Sequence, residues 1–482
     1  MQIVLQQLQA KRIVVTLVSV ARPTGGFRMD RESNSKVPKW VEALKKGALV
    51  GVMFGLHRCD RGLEAGRRPL QGKKCYVPAM GRGTAEAVCA CFGRMGVDAE
   101  PTPESNERTR ELGRRYNDGD ACYPAVVMTG DFVRITERLG FEPAQSVFFM
   151  PSAEGPCRLG QYGVALGSAL EERGCDAVQI LAPSDRNGFA SLDGLGRGLC
   201  RLMWRAMVAT DLLHAALLRT RPFETEEGAA ERAFGESLDD LCATIRTACR
   251  GAGGQLRGLV AAMRRASARF RAIPVRREQR LRIGLVGEVF CRLNVYANAG
   301  LVRELERQGA EVWLSGTSEL LDYGNEVEFQ GLRLAGRRWS TEMGKARLRT
   351  AAQRADQHAL GRPFGACQDP DTAELLALAE PYLPGNSVVG EMVVSVGKAA
   401  WLARHGAAGV IDVSPFMCMN GIVSEAIYPR LSRDHGGMPI RNLYFDGTHA
   451  DVESDVGAFL ELARGYRARS SFGLDADERR NS

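Results

Sequence analysis

The feature that most constrains this chain is an alternation of short apolar runs with helix-length segments, which begins near residue 73 and restarts near residue 281. Cys75-Tyr-Val-Pro78 reads as a strand, Thr84–Met95 as a helix closed by Gly96, and Val97-Asp-Ala-Glu100 as a second strand. Helices over Glu104–Tyr116 and Pro124–Leu139 follow, then the strand Ser146-Val-Phe-Phe-Met150 and a helix Leu159–Arg173 ahead of Gly174. The second run opens with the strand Leu281–Gly287, the helix Ala299–Gln308 and the strand Glu311–Leu314. It continues through a helix Asp371–Tyr382, strands Gly390–Val396 and Gly409–Val413, a helix Ile422–Ser432, a strand Asn442–Phe445 and a closing helix Glu453–Arg469. Strands this short and apolar, separated by helices, pair in parallel and are covered on both faces.

Between the two runs, Leu199, Leu202, Met203, Met207, Leu212, Leu213, Leu217 and Leu218 recur at helical spacing, and Ala229–Cys249 and Leu256–Arg271 extend the helical pattern. The expected fold is therefore α/β: two doubly wound parallel-sheet domains, Rossmann-like, joined by a helical segment. The expected divisions are an ill-defined stretch over 1–70, a first α/β domain over 71–194, a helical segment over 195–275 and a second α/β domain over 281–470. A chain of 482 residues exceeds one ordinary core, as this division requires.

The net charge of +7 does not indicate nucleic acid. Arginines are interleaved with Glu and Asp along the chain and no stripe of stacking aromatics accompanies them, so a solvated surface accounts for the charge. The first 20 residues lack the basic-then-apolar order of a signal peptide, and the apolar stretch Ile13–Ala21 is too short for a membrane span. The expectation is a soluble cytoplasmic protein in a reducing compartment, where its 13 cysteines are packing residues, catalysts or metal ligands.

Three cysteines share one setting. Cys122, in Gly119-Asp-Ala-Cys-Tyr-Pro124, stands where a helix begins; Cys157, in Pro151-Ser-Ala-Glu-Gly-Pro-Cys157, lies between a strand and its helix; Cys418, in Ser414-Pro-Phe-Met-Cys418-Met-Asn-Gly421, does the same. Helix N-termini favour thiolate over thiol, and loops after parallel strands gather at the edge where such folds bind ligands. Three thiolates on different loops can converge on one metal centre and leave one position open. Single cysteines are more often small buried hydrophobes, and that reading suits Cys89, Cys91, Cys175, Cys200, Cys242 and Cys249. Cys291 is the strongest reserve, Cys75 and Cys367 weaker ones, and Cys59 carries no assignment. No C-x-x-C, P-loop, G-x-G-x-x-G or H-E-x-x-H occurs, so zinc-ribbon, nucleotide and metalloprotease readings lack support.

The phrases Glu111-Leu-Gly-Arg-Arg-Tyr-Asn117, Ala121-Cys-Tyr-Pro124, Phe148–Tyr162, Arg271–Val275, Val286-Gly-Glu-Val289, Asn294-Val-Tyr-Ala-Asn298 and Pro415–Ala426 resemble the 2-hydroxyacyl-CoA dehydratase-like proteins found with, or fused to, CoA-substrate-specific enzyme activases. The resemblance runs in order over about residues 70–470. It implies an iron–sulfur redox protein whose 4Fe-4S or double-cubane cluster is held by three cysteines per cubane, here Cys122, Cys157 and Cys418. It further implies an ATP-hydrolysing activator protein, with its own 4Fe-4S cluster, that delivers low-potential electrons, a homo- or hetero-dimer, and an acyl-CoA as candidate substrate; no nucleic acid or membrane is implied as partner. The activase ATPase portion is absent from this chain, Ala121 stands where an acidic residue is expected, and Met-Asn-Gly replaces Met-Pro-Gly after Cys418. Three readings follow: a reductase- or dehydratase-like component with a substrate, a non-catalytic scaffold or electron-transfer subunit of an activase-like complex, or a folded relative that has lost its cluster and keeps the three cysteines buried and reduced.

Overall fold

The structure is a computed structural model of the whole chain, and it describes residues 70, 72–153, 155–183, 192, 198–247, 251–276, 278–365, 370–383, 390–448 and 451–478. The expectation for the first 69 residues, and the cysteines Cys59, Cys249 and Cys367, lie outside the described residues.

The first half contains β1 (Lys74–Val77), α1 (Thr84–Arg94), β2 (Asp98–Pro101), α2 (Glu107–Arg115), α3 (Tyr123–Thr136), β3 (Ser146–Phe149), α4 (Tyr162–Glu172) and β4 (Gln179–Leu181). Three long helices follow: α5 (Leu199–Thr220), α6 (Ala229–Thr247) and α7 (Ala252–Arg271). The second half contains β5 (Leu281–Gly287), α8 (Val289–Leu293), α9 (Leu301–Arg307), β6 (Ala310–Leu314), α10 (Thr317–Leu334), α11 (Thr341–Gly361), α12 (Thr372–Ala379), α13 (Glu391–Arg404), β7 (Gly409–Pro415), α14 (Met419–Asp434), β8 (Ile440–Phe445) and α15 (Val452–Glu478).

The strands form two four-stranded, all-parallel sheets, ordered β2-β1-β3-β4 and β6-β5-β7-β8. The expected fold class is what is found, and both sheets carry the same strand order. Tyr76 on β1 pairs with Phe148 on β3, and Gly287 on β5 with Val413 on β7. In each sheet the order reverses between the first and third strands, and that switch opens a crevice at their carboxyl ends.

Strand periodicity sorts the core into layers, because alternate side chains point to opposite faces. Tyr76 and Phe148 share a continuous core with Ile283, Leu285, Ile411 and Val413, so one face of each sheet contributes to a common centre. Phe148 is fully buried there, stacked on Phe132 at 4.6 Å and edge-on to Tyr76 at 5.7 Å. Such aromatic pairs contribute about 1 kcal/mol each beyond their burial. Cys75, Val77, Val147 and Phe149 point the other way and pack against α1, α5, α6 and α7. The helical segment thus covers the outer face of the first sheet. It also reaches the second half: Asp211 on α5 accepts from the amides of Thr317 and Ser318 at 3.0 and 2.7 Å, capping α10. The buried Asp356 on α11 receives the Arg205 guanidinium at 2.9 and 3.0 Å.

One expectation is overturned. Residues 390–396 are not a strand; Glu391 opens the helix α13. Met392 through Leu402 is buried without interruption, so the run has no polar face to reveal its period, and short apolar runs are ambiguous between helix and strand. β4, α10 and α11 were not anticipated.

Candidate metal centre

Each cysteine of the trio occupies an N-cap position. Cys122 caps α3 with φ −62° and ψ 135°, Cys157 caps a 3-10 turn (Arg158–Gln161) that runs into α4 with φ −71° and ψ 136°, and Cys418 caps α14 with φ −66° and ψ 125°. All three backbones are extended in the way an N-cap requires, with Pro124 in the first turn of α3. Serine or aspartate at such a position bonds an amide of the first turn; these thiols make no side-chain cap bond.

The fold ties two of the three turns directly to each other. Arg158, next to Cys157, donates to the carbonyl of Asp120, two residues before Cys122. The second half meets the first through Asn294, whose Nδ2 donates to the carbonyl of Ala79 at 3.1 Å and to Ser105 at 3.3 Å, and through Tyr296, whose hydroxyl donates to Glu107 at 2.9 Å. Arg114 on α2 donates to the carbonyl of Asp446 at 3.2 Å. Cys122 feels the charge of Cys157 within the first half, and Cys418 that of Cys122 across this junction.

Burial dominates the ionisation of these thiols. It pushes Cys122 up to about 12, against the hydroxyl of Tyr162, which favours the thiolate, while the charge of Glu288 raises it further. Burial likewise pushes Cys418 up to about 12, opposed by the amides of Gly421 and Asn420. At Cys122 and Cys418, desolvation outweighs the helix-end field that favours a thiolate. Thiolates here need a cation beside them, and metal binding releases their protons. Cys157 is exposed, whereas Cys122 and Cys418 are half-buried.

Glu288 was missed as a site residue. It is the N-cap of α8, with φ −65° and ψ 131°, and accepts from the amides of Phe290 at 3.0 Å and Cys291 at 2.8 Å. Behind it, the buried Arg292 holds Glu391 at 2.8 Å and donates to the carbonyls of Gly287, Ser315 and Gly316. Beneath the Cys418 turn, the buried Asp412 on β7 accepts from Ser414, Ser424 and Tyr428 at 3.0, 3.0 and 2.6 Å. That network ties the third strand to α14 and fixes where Cys418 begins its helix. Glu288 lies in the phrase Val286-Gly-Glu-Val289 quoted above, whereas for Arg292 and Asp412 the only signal was a polar residue inside or beside an apolar strand.

The reserves separate. Cys291 is fully buried in the central core, coupled to Cys122 and Cys418, and its thiol hydrogen-bonds the Glu288 carboxylate. Cys75 points to the opposite face of its sheet, among Cys89, Cys91 and Cys242, and is a packing residue. The rim is apolar and open: Phe416, Met417 and Ile422 are 62%, 69% and 51% exposed, and Met417 holds a left-handed φ of 60°.

Among the described residues no three His, Cys, Asp or Glu side chains close on a single metal ion. A cubane does not require that geometry, since its thiolates bind separate irons at separate corners. The donor set is soft sulfur on loops that meet across one crevice, which fits a cluster and not a hard cation. No family model matches the sequence, and no curated protein matches it.

Proposed function

We propose that this protein is an iron–sulfur redox protein, similar to the cluster-bearing component of 2-hydroxyacyl-CoA dehydratases and reduced by an ATP-dependent activator. What supports the reading is that three thiols, Cys122, Cys157 and Cys418, all stand at helix N-caps on turns of both halves, with Cys122 near enough to feel the charge of each of the other two. Three thiols suit one cubane. When bound, such a cluster supplies one-electron transfer at low potential. The chain's own groups have separate tasks: the Tyr162 hydroxyl donates to Cys122, and Asp412 holds the Cys418 turn. The exposed Cys157, Phe416 and Met417 give an electron-donating protein an open approach.

Anaerobic reconstitution with iron and sulfide tests this. Brown protein with broad visible absorbance is expected, with the absorbance lost or weakened in Cys157→Ala. Because Cys157 is exposed, that variant keeps its fold. Colourless, iron-free wild-type protein after reconstitution overturns the reading.

A further inference from the structure

We infer that the outer end of the α10–α11 hairpin is a docking surface for an anionic phospholipid bilayer, with Leu334 and Trp339 entering the headgroup layer and the basic side chains around them meeting its phosphates.

The hairpin has two parts. Its root is built into the body of the protein: Tyr323 on α10 lies in one core with Val393 and Trp401, and Leu360 on α11 in the core of the helical layer. Its outer end has a small core of its own, in which Phe329 and Leu332 from α10 meet Met343 and Ala346 from α11. Beyond that core every residue from Arg333 to Trp339 is exposed. The turn is nonetheless ordered. The amide of Arg337 donates to the carbonyl of Leu332 at 2.8 Å, and that of Gly336, at a left-handed φ of 69°, to Arg333 at 3.1 Å. These bonds close α10 as a glycine cap does, and the Ser340 hydroxyl accepts from the Met343 amide at 3.2 Å to open α11. A turn held this way loses little freedom on docking.

Two kinds of side chain collect on it. Trp339, Leu334 and Leu348 are 88%, 80% and 74% exposed. Single exposed apolar residues are ordinary, but three of this size on one hairpin end mark a surface that something covers. The polar complement is basic. From residue 333 to 348 the chain carries Arg333, Arg337, Arg338, Lys345 and Arg347 against one carboxylate, Glu342, which Arg337 engages at 2.5 Å. Elsewhere arginines alternate with Glu and Asp; here the alternation lapses. Arg338 also lies over the Trp339 ring at 6.0 Å, so charge and apolar ring are presented together.

Shape decides between a bilayer and an acidic protein. A stable protein interface takes about 800 Å² from each partner, and the convex end of a helical hairpin offers too little flat surface for that. A headgroup layer yields around a convex end, accepts Trp and Leu at its depth and offers phosphates to Arg and Lys. Among the described residues no helix is long and apolar enough to cross a membrane, and the contact inferred is interfacial.

The test is co-sedimentation of the full chain with vesicles of equal parts phosphatidylglycerol and phosphatidylcholine, with pure phosphatidylcholine vesicles as control. Two variants are compared with wild type: Trp339→Ala with Leu334→Ser, and Arg338→Gln with Lys345→Gln and Arg347→Gln. All five residues are exposed, so both variants should keep the wild-type melting temperature. Wild-type protein is expected to bind the anionic vesicles and not the control, and each variant to bind them about tenfold more weakly or worse. Wild-type protein that ignores anionic vesicles, or binds both kinds equally, overturns the inference. So does binding that both variants keep, which places the contact elsewhere on the chain. Binding lost in the charge variant alone overturns it too, because a site for an acidic protein needs the cations and not the buried ring.

Discussion

The two halves share a plan and differ in what they place on it. Both sheets run second-first-third-fourth strand, and in both the third strand leads to a turn with an N-cap cysteine, Cys157 after β3 and Cys418 after β7. The helix pair before the third strand is also alike. A Cβ added to Gly130 on α3 falls 1.9 Å from the carbonyl oxygen of Thr109 on α2, and one on Gly397 of α13 falls 2.1 Å from that of Leu375 on α12. Both crossings are therefore backbone on backbone. At the start of those helices the halves part: Cys122 caps α3, whereas Gly390 caps α13 and is followed by the buried Glu391. The second half has a buried ion pair there instead, Glu391 with Arg292.

The largest expected effects test the likeness. Gly130→Ala and Gly397→Ala should each destabilise the protein by about 3 kcal/mol in urea melts, because neither backbone neighbour can retreat. Similar losses support the equivalence; a loss at only one site breaks it. The next test addresses the difference. Arg292→Leu leaves Glu391 buried without its cation and frees three carbonyls, a cost of about 3 kcal/mol. The turn after β1, Pro78-Ala-Met-Gly81, has no arginine, and Met80→Leu there should cost under about 1 kcal/mol.

An effect of similar size is set by pH on the helical layer of the first half. Burial, then Arg221 and Arg82, lower His214 from 6.5 to about 4. The unfolded chain takes up this proton first, so the contribution is fully present above pH 6.5 and is lost as pH falls toward 4. The loss by pH 4 is on the order of 3 kcal/mol, at about 1.4 kcal/mol per pH unit. Thermal melts from pH 7 to 4 should show it, and His214→Leu should flatten it. The smallest effect concerns the two third-strand turns. The first uses Gly155 at φ 115° and the second Met417 at φ 60°. Met417→Gly relieves that strain and should stabilise by up to about 1 kcal/mol, unless chain entropy in the unfolded state cancels it.

Much of the fold was legible because strands such as Leu281–Gly287 and Gly409–Pro415 are short, apolar and bounded by turns. The segment from Met392 failed for the opposite reason: burial on all sides erased the helical period. The long helices α10 and α11 escaped because their apolar positions are sparse. At the candidate centre, the helix-start positions of Cys122, Cys157 and Cys418 were legible in the sequence, Cys157 and Cys418 on turns that follow strands and Cys122 on the turn between α2 and α3. Glu288, Arg292 and Asp412 were not, because their meaning lies in partners far along the chain, as with Arg292 and Glu391. The upward push of burial on the Cys122 and Cys418 thiols was not legible for the same reason, burial being a property of the packed fold.

Metal and sulfide analysis of anaerobically purified protein, with its visible spectrum, bears most directly on the proposed centre. A single cubane gives about four iron and four sulfide per chain and a broad brown absorbance. A colourless protein that stays free of iron after anaerobic reconstitution contradicts it.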